Sequence, residues 1–248
     1  GKNLIKNLPQ FIGFEKEDVY LDEHIEKCDG IFHLGACADL RNSDINDMFF
    51  NNVKRSFQLF KKAKYFNKKV VFSSSSAVYG NNHEPTNSYS WSKYCSEKIG
   101  KELLGSNFVA LRFFNVYGPG ESHKGLMSSI PYQIYHSSRF GIFPRKGIDN
   151  SLISPARDFV HVDDVVKACL IAMKNKINGI FDIGTCQPVA YNEICSIMGK
   201  EFYYFDLKEK PSGYQDYTCA DSKKVLPGWI PVNPNVGIKK YKGYLDAK

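Results

Sequence analysis

A short apolar run that ends in four serines constrains the fold of this chain more than any other stretch. The run is β-branched and aromatic (VVF, residues 70–72), which predicts a buried strand. The serines of 73–76 follow where that strand gives way to a loop. A helix then begins near residue 88, and it places Tyr89 and Lys93 on one side because they are four positions apart.

The order strand, helix, strand repeats on both sides of this run. The sequence predicts the following further elements: strands at 31–34 and 108–114, and helices at about 45–66 and 88–104. Such alternation is typical of a parallel sheet with crossover helices, and these sheets bind ligands beyond the carboxyl ends of their strands. Gly35, Ser75 and Asn115 all fall at that edge.

Finer features are predicted along the same chain. The helix over 88–104 has an apolar stripe at i, i+4 spacing, which is expected to be its buried face: Trp91, Cys95, Ile99 and Leu103. Asp163 or Asp164 is expected to cap the helix that follows them. The remaining elements are expected as a short strand and loop over 10–22, a helix over 126–140, an irregular stretch over 141–156 and a strand over 179–184.

The composition excludes several classes of protein. No apolar run approaches the ~18 residues that span a bilayer, and the start GKNLIKNLPQ lacks the apolar core of a signal peptide, so we expect a cytoplasmic protein without a membrane partner. Seven cysteines show no C-x-x-C pair and no metal-ligand spacing, so we expect free thiols and no metal site. The net charge of +7 comes from dispersed lysines, which favours phosphorylated small ligands or a plain lysine-rich surface over nucleic acid.

Tyr89 and Lys93 have the side chains of a proton-transfer site. A lysine cation close to a phenol lowers the phenol pKa from about 10 towards neutrality, which makes the phenol a usable acid or base. The Tyr-x-x-x-Lys spacing is not informative by itself, since the chain has it five times, at 65/69, 89/93, 94/98, 204/208 and 244/248. We select Tyr89 because it follows a serine-tipped strand and begins a helix that another strand follows.

These segments together resemble the extended short-chain dehydrogenase/reductase family, whose members modify nucleotide-activated sugars. Seven motifs carry the resemblance in the family's order: IFHLGA, FFNN, FSSSSAVYG, YSWSK, LRFFNVYGP, RDFVHVDDV and GIFDIGT. The resemblance implies an α/β fold, a Rossmann-like doubly wound parallel sheet with a smaller C-terminal substrate-binding lobe. It divides the chain into a dinucleotide-binding domain over 1–115 and a mainly substrate-binding lobe over 116–248, from which some segments return to the first domain.

The resemblance also implies roles for single residues. Tyr89 would accept and donate the proton of a sugar hydroxyl, Lys93 would hold the nicotinamide ribose, and Ser75 would hydrogen-bond the reacting oxygen. Two segments, ESHKGLMSSI and GYQDYTCAD, resemble the branch that epimerises nucleotide-activated heptoses, where Lys124 matches a second acid/base. The implied cofactor contacts are Leu34, Gly35, Ala36, Cys37, Ala38, Asn51, Lys93 and Val116. The implied substrate contacts are Asn115, Leu126, Gln133, Arg157 and Tyr214.

Some features depart from the family pattern or leave an alternative open. The chain has no G-x-x-G-x-x-G turn, so we expect that the first strands, with the glycine-rich phosphate loop, are missing at its amino end. The choice of NADP, with NAD possible, therefore comes from the resemblance. Leu126 and Gln133 stand where the heptose branch has a serine and a histidine. Arg157 has the fork that suits a pyrophosphate, or it pairs with a neighbouring carboxylate such as Asp158 or Asp163.

Several functions remain open at this stage. The first is epimerisation of a nucleotide-activated heptose through a transient ketone, by a homo-oligomer. A different nucleotide-sugar epimerase, such as a UDP-hexose 4-epimerase, can rotate its ketone and does not need Lys124. A 4,6-dehydratase would have an Asp-Glu pair where Ser76 and Ala77 stand. A non-catalytic nucleotide-binding member would fit the missing glycine turn but leaves Tyr89 and Lys93 without a purpose.

Overall fold

The computed structural model describes residues 2–11, 13, 22–38, 44–80, 84–205 and 214–248. The helices are α1 (Lys2–Ile5), α2 (Asp22–Lys27), α3 (Ile45–Phe49), α4 (Arg55–Tyr65), α5 (Ser88–Leu104), α6 (Ile130–His136), α7 (Val162–Lys174), α8 (Tyr191–Met198) and α9 (Pro234–Asp246). The strands are β1 (Gly30–His33), β2 (Lys69–Ser75), β3 (Phe108–Phe113), β4 (Asn115–Tyr117), β5 (Arg139–Ile142), β6 (Arg145–Lys146), β7 (Leu152–Ile153), β8 (Ala156–His161), β9 (Gly179–Ile183), β10 (Pro188–Ala190) and β11 (Glu201–Tyr204). The strand expected within 10–22 falls largely outside the described residues.

The first of two compact units contains the predicted sheet. This unit comprises Gly1–Phe113, Val166–Asp182 and Leu226–Gly228. Its strands lie in the order β1, β2, β3, β9, and the first three run parallel, with Ile31 opposite Val70 and Val70 opposite Phe108. The expected α/β architecture with a parallel, Rossmann-like sheet is therefore confirmed.

An aromatic cluster supports the centre of this sheet. Phe60 of α4, Phe72 of β2 and Phe108 of β3 are almost fully buried. The Phe60 ring meets the other two edge-on at centroid distances of 5.8 and 5.5 Å, while Phe72 and Phe108 stack at 6.1 Å. Each such pair adds about 0.5–1.5 kcal/mol beyond the area that it buries. The cluster therefore gives the end of β2, where the serines lie, a rigid base.

The buried face of α5 is not the one that the sequence predicts. The residues of the expected stripe are half-buried or exposed, and 43% of Trp91 is accessible. The buried positions are mostly small or polar: Ser90, Ser92, Lys93, Ser96, Glu97, Gly100 and Leu104. Small residues let the helix approach the sheet closely, since a Cβ at Gly100 would lie 2.3 Å from the Phe108 ring. Counting apolar residues misses a helix that packs through serine and glycine.

The second unit, Phe114–Val165, Ile183–Val225 and Trp229–Lys248, has several small sheets. In one of them β8 pairs with β4 in parallel and with β10 in antiparallel. Strands β5 and β11 form a parallel pair, and β6 and β7 form a hairpin within the stretch expected to be irregular. The helix expected over 126–140 is shorter, because Ser129 caps α6 next to Pro131 and β5 follows.

Two smaller expectations are also corrected. Helix α7 begins at Val162, so Asp163 and Asp164 lie in its first turn rather than at the cap position. The helix expected over 45–66 is continuous but has a π-helical turn, Phe50–Lys54, between α3 and α4. None of the helices in the described part of the chain is long and apolar enough to cross a membrane.

Candidate active site

A capping box fixes the start of α5 and with it the position of Tyr89. The Asn87 side chain accepts a hydrogen bond from the Ser90 amide at 2.8 Å, and the Ser90 hydroxyl accepts one from the Asn87 amide at 3.0 Å. This reciprocal pair satisfies amides that a helix N-terminus otherwise leaves without partners. Tyr89 therefore lies in the first turn, with Lys93 one turn further on.

The structure brings Ser75, Tyr89 and Lys93 together. Ser75 is the last residue of β2, and its hydroxyl lies near enough to the Tyr89 phenol to act on the phenol pKa. The Lys93 Nζ is 5.9 Å from the centroid of the Tyr89 ring and donates a hydrogen bond to the Ser73 carbonyl at 2.6 Å. Tyr89 is half-buried, whereas Lys93 is 3% exposed. An alcohol, a phenol and an ammonium thus meet at the carboxyl end of the strand.

The protonation of this group differs from the sequence-based prediction. Burial raises the pKa of Tyr89, and the nearby Ser75 hydroxyl, not the charge of Lys93, opposes that rise. Burial also lowers the pKa of Lys93 to about 7, against the attraction of Glu97. The expected lowering of the phenol pKa is therefore not seen, because the cation expected to cause it is desolvated and directed at a carbonyl.

Asn52 holds the loop that follows β1. Its Oδ1 accepts a hydrogen bond from the Cys37 amide at 2.8 Å, and its Nδ2 lies 2.9 Å from both the Cys37 carbonyl and the Ser92 hydroxyl. The loop contains the predicted cofactor contacts Leu34, Gly35, Ala36, Cys37 and Ala38, and Gly35, Ala36 and Ala38 are exposed. One buried amide therefore joins this open loop to α5.

The predicted contact Asn51 points elsewhere. Its Nδ2 donates to the Asp47 carboxylate at 2.7 Å on the same helix. The π-helical turn inserts one extra residue into that helix and shifts its faces, so the residue that reaches the loop is Asn52. The FFNN motif contains both asparagines, and only knowledge of the π turn would have selected the second.

His33, which the sequence-based prediction also missed, lies next to this group as a neutral side chain. Its Nε2 is 2.8 Å from the Ser56 hydroxyl, which itself donates to the Asn52 carbonyl. Because the Ser56 proton is used in that bond, His33 must donate through Nε2. Burial, with the nearby charge of Lys93, lowers the pKa of His33 to about 3.

In the second unit, Arg157 and Tyr214 are in contact. The Arg157 guanidinium carbon is 5.4 Å from the centroid of the Tyr214 ring, and burial raises the pKa of Tyr214 to about 12. Arg157 is 8% exposed, and its Nε is buried without a hydrogen-bond partner among the described residues. The pairing of Arg157 with Asp158 left open above is not found, since the Asp158 carboxylate accepts hydrogen bonds from Thr185, Cys186 and Ala220. Asp163, the other carboxylate considered, lies 3.6 Å from His161.

The predicted contacts Asn115 and Val116 lie on β4. The Asn115 amide donates to the Asp158 carbonyl and to the Thr218 hydroxyl, both at 3.0 Å. Val116 is half-buried and lies opposite Val160 of β8. The Asn115 Nδ2 therefore serves to hold the strand and the segment at 218 in this structure.

Lys124 lies on an exposed turn that is held by a buried carboxylate. The 3-10 turn Ser122–Met127 carries both Lys124 and Leu126, and 79% of Leu126 is accessible. Glu121 is 3% exposed and accepts hydrogen bonds from the Gly118 amide (3.2 Å), the Ser129 amide (2.6 Å) and hydroxyl (2.8 Å), and the Tyr241 hydroxyl (2.9 Å). Gln133 donates to the carbonyls of Ser128 and Leu126, so the structure brings Gln133 and this turn together.

The residues of the first unit fit a nicotinamide ribose by the chemistry of their donors. Lys93 supplies an ammonium and Tyr89 a phenol, which are groups that bind vicinal hydroxyls, and Asn52 joins their helix to the loop of 34–38 through Ser92 and Cys37. A Cβ added at Gly35 would meet nothing within 4 Å, so the loop leaves space over its backbone.

Comparison with known proteins agrees with this chemistry. The model of the NAD dependent epimerase/dehydratase family matches residues 16–184. ADP-L-glycero-D-manno-heptose-6-epimerase of Brachyspira hyodysenteriae is 33% identical, over 94% of this chain and 82% of that protein. The crystal structure of the Helicobacter pylori ADP-L-glycero-D-manno-heptose-6-epimerase is similar with a TM-score of 0.78 at 26% identity, over 100% of this chain and 82% of that chain. A UDP-N-acetylglucosamine 4-epimerase from Methanobrevibacter ruminantium has a TM-score of 0.80 at 23% identity, over 98% and 87% of the two chains, which shows the shared fold.

Proposed function

The chain belongs to the NAD dependent epimerase/dehydratase family, and from that membership we propose that it converts ADP-D-glycero-D-manno-heptose to ADP-L-glycero-D-manno-heptose with bound NADP. In more general terms, the protein is an NAD(P)-dependent epimerase of nucleotide-activated sugars. The observation that carries the proposal is the meeting of Ser75, Tyr89 and Lys93 at the end of β2. In this proposal residues 1–115 form mainly the cofactor domain and 116–248 mainly the substrate domain.

The three residues support transfer of a proton at the sugar hydroxyl. Tyr89 takes the hydroxyl proton while the carbon loses hydride, and it returns the proton when the ketone is reduced. The reactive form for the first step is the small phenolate fraction that a raised pKa leaves near pH 7. Ser75 donates a hydrogen bond to the reacting oxygen. Lys93, as an ammonium, binds ribose hydroxyls. A nicotinamide held at Lys93 and Tyr89 would supply the acceptor, and then the donor, of that hydride.

Inversion requires that hydride return to the opposite face of the ketone. The substrate therefore binds in two orientations, one for oxidation and one for reduction. An acid/base group near the carbonyl oxygen in each orientation keeps the proton transfer from becoming a separate slow step. Lys124 is exposed on a turn that Glu121 fixes at both ends, which supports its proposed use as the second acid/base.

Arg157 supports an anionic substrate. A guanidinium that is 8% exposed, with one N–H unsatisfied among the described residues, is costly unless a ligand pairs with it. The planar fork suits the two phosphates of a nucleotide sugar. Tyr214 stacks against the guanidinium and limits its rotation. We assign Leu126, Gln133 and Asn115 to the substrate side, and Leu34 to Ala38 and Val116 to the cofactor side.

The test is turnover of both ADP-heptose epimers by the NADP-loaded protein, with the product ratio read by proton NMR. Tyr89→Phe is expected to lower turnover about 10²–10⁴-fold, because it removes the acid/base but keeps the ring. The matched control is Tyr94→Phe, since Tyr94 and Lys98 have the same spacing on the same helix, with Nζ 5.0 Å from the ring centroid. Equal losses in the two variants, or an active Tyr89→Phe protein, would contradict the proposed role.

The same assay with UDP-hexoses separates the two epimerase hypotheses. Lys124→Met is expected to reduce epimerisation of ADP-heptose strongly, whereas a 4-epimerase that rotates its ketone should tolerate the change. Conversion of UDP-hexoses at a higher rate than ADP-heptose would replace the proposed substrate. Absorbance at ~340 nm reports a bound reduced nicotinamide. A protein that binds neither NADP nor NAD in this measurement would be a non-catalytic member of the family.

A further inference from the structure

A buried carboxylate lies one helical turn beyond Lys93. Glu97 has no accessible surface, and its two oxygens accept hydrogen bonds from Arg112 Nε at 2.9 Å and from Arg112 NH2 at 2.7 Å. The Ser74 hydroxyl donates to the same carboxylate. The proposed mechanism does not use any of these three side chains, yet all belong to the first unit and support the strand and helix that do.

The polar chain continues across the sheet. The Arg112 guanidinium carbon lies 4.7 Å from the centroid of the Tyr79 ring, and its charge opposes the rise that burial causes in the pKa of Tyr79. Tyr79 donates in turn to the Asp182 carboxylate at 2.7 Å, and Asp182 is 1% exposed. With Lys93 the cluster holds two cations and two carboxylates, so it is electrically balanced when Lys93 is protonated.

Charge balance matters because Lys93 is buried. Its cation has lost its water and keeps the Ser73 carbonyl as a hydrogen-bond acceptor. The other titratable groups that face it are His33 of β1 and Tyr89 of its own helix, and both are neutral near pH 7. Glu97, at i+4 on the same helix, is the negative charge that favours the protonated lysine.

We propose that Glu97 is a positioning residue that keeps Lys93 charged, and that Arg112 limits this effect by sharing the same carboxylate. The inference rests on the proposed function and deepens it, because it says how a desolvated lysine remains the cation that binds ribose hydroxyls. Ser74 and Arg112 hold the carboxylate by hydrogen bonds. The aromatic cluster described above supports β2, the strand that carries Ser74.

Replacing Glu97 and replacing Arg112 should shift the pKa of Lys93 in opposite directions. A purely structural role for the two residues does not predict opposite shifts. Glu97→Gln keeps the shape of the side chain but removes the negative charge, so the pKa of Lys93 should fall by on the order of one pH unit. Arg112→Gln leaves Glu97 without its competing cation, so the pKa of Lys93 should rise. The double variant should lie between Glu97→Gln and wild type, because Glu97 lies one turn from Lys93 on the same helix whereas Arg112 lies on β3.

The measurement is a ¹³C NMR titration of the lysine Cε signals in the full-length protein without cofactor. The Lys93 signal is identified by its loss in Lys93→Arg. Glu102→Gln is the matched control, since Glu102 is exposed on the same helix and should leave the titration unchanged. Where a single variant does not fold, as judged by thermal unfolding, the double variant must still titrate Lys93 below wild type.

Activity gives an independent readout. The high-pH limb of turnover should move to lower pH in Glu97→Gln and to higher pH in Arg112→Gln. Shifts of the same sign in both variants, or an unchanged Lys93 titration in Glu97→Gln, would overturn the inference. If the Lys93 titration shifts as expected in the variants but the wild-type protein is inactive, the proposed function is refuted and the inference stands.

Discussion

Replacing Asn52 by alanine tests whether the π-helical turn assigns this residue to the loop after β1. The substitution removes the bonds from the Asn52 amide to the Cys37 amide, the Cys37 carbonyl and the Ser92 hydroxyl. A net value of about 0.5–1.5 kcal/mol for each of the three bonds gives an upper total of about 4.5 kcal/mol. Cys37 is half-buried and recovers water, and Ser92 keeps its bond to the Tyr89 carbonyl, so we expect a loss of about 2–3 kcal/mol.

Asn51→Ala is the matched control because it changes the neighbouring residue of the same type. The Asn51 side chain bonds only to Asp47, on the same helix and at the surface, among the contacts of the described residues. Its loss should cost within about 0.5 kcal/mol. The side-chain changes leave the Asn52 carbonyl, which accepts from Ser56 and Ser96, in place in both variants.

Two measurements decide the outcome. Urea unfolding followed by circular dichroism gives the free energy of unfolding of each variant. Hydrogen exchange at the Cys37 amide reports the loop directly, and it should accelerate in Asn52→Ala and stay slow in Asn51→Ala. Equal destabilisation by the two variants, or unchanged protection of Cys37 in Asn52→Ala, would refute the assignment of Asn52 to the loop.

Two further predictions concern the core of the first unit. His33 is buried as a neutral group with a folded pKa of about 3, below its ordinary 6.5, so the stability it confers is complete above pH 6.5 and declines as the pH falls towards 3. Between pH 7 and 5 the wild type should lose about 2 kcal/mol more unfolding free energy than His33→Phe, and equal losses in urea titrations at the two pH values would contradict this. Gly100→Ala should destabilise by about 1–3 kcal/mol because its Cβ would overlap the Phe108 ring. Gly243→Ala, with open space around its Cβ in another helix, should instead gain about 0.5–1 kcal/mol by thermal unfolding, and the same sign for both would be inconsistent with the packing described.

The elements of the sheet could be predicted because their sequences are locally consistent. The apolar strand over 70–72 and the strand over 108–113 are recognised by β-branched and aromatic residues alone. Tyr89 and Lys93 were found by their position after β2, and the resemblance placed Arg157 and Tyr214, which the structure shows in contact.

The errors have physical causes that one sequence does not display. The resemblance selects Asn51, whereas Asn52 is the residue that bonds to the loop after β1, and one sequence does not show the π turn that shifts the faces. The stripe that includes Trp91 was expected to be buried, but Ser92 and Ser96 form the closer packing surface. Glu97 was not recognised because its significance depends on a strand partner, Arg112, fifteen residues away.

Glu121 anchors the two ends of the segment that contains the 122–127 turn. The carboxylate binds both ends of the segment and the hydroxyl of Tyr241, while Lys124 and Leu126 project outward without contributing to that attachment. Side chains at the tip are therefore open to exchange at little expense in folding. Substitutions at 122–127 can therefore change the side chains that this turn presents while the scaffold beneath it stays the same.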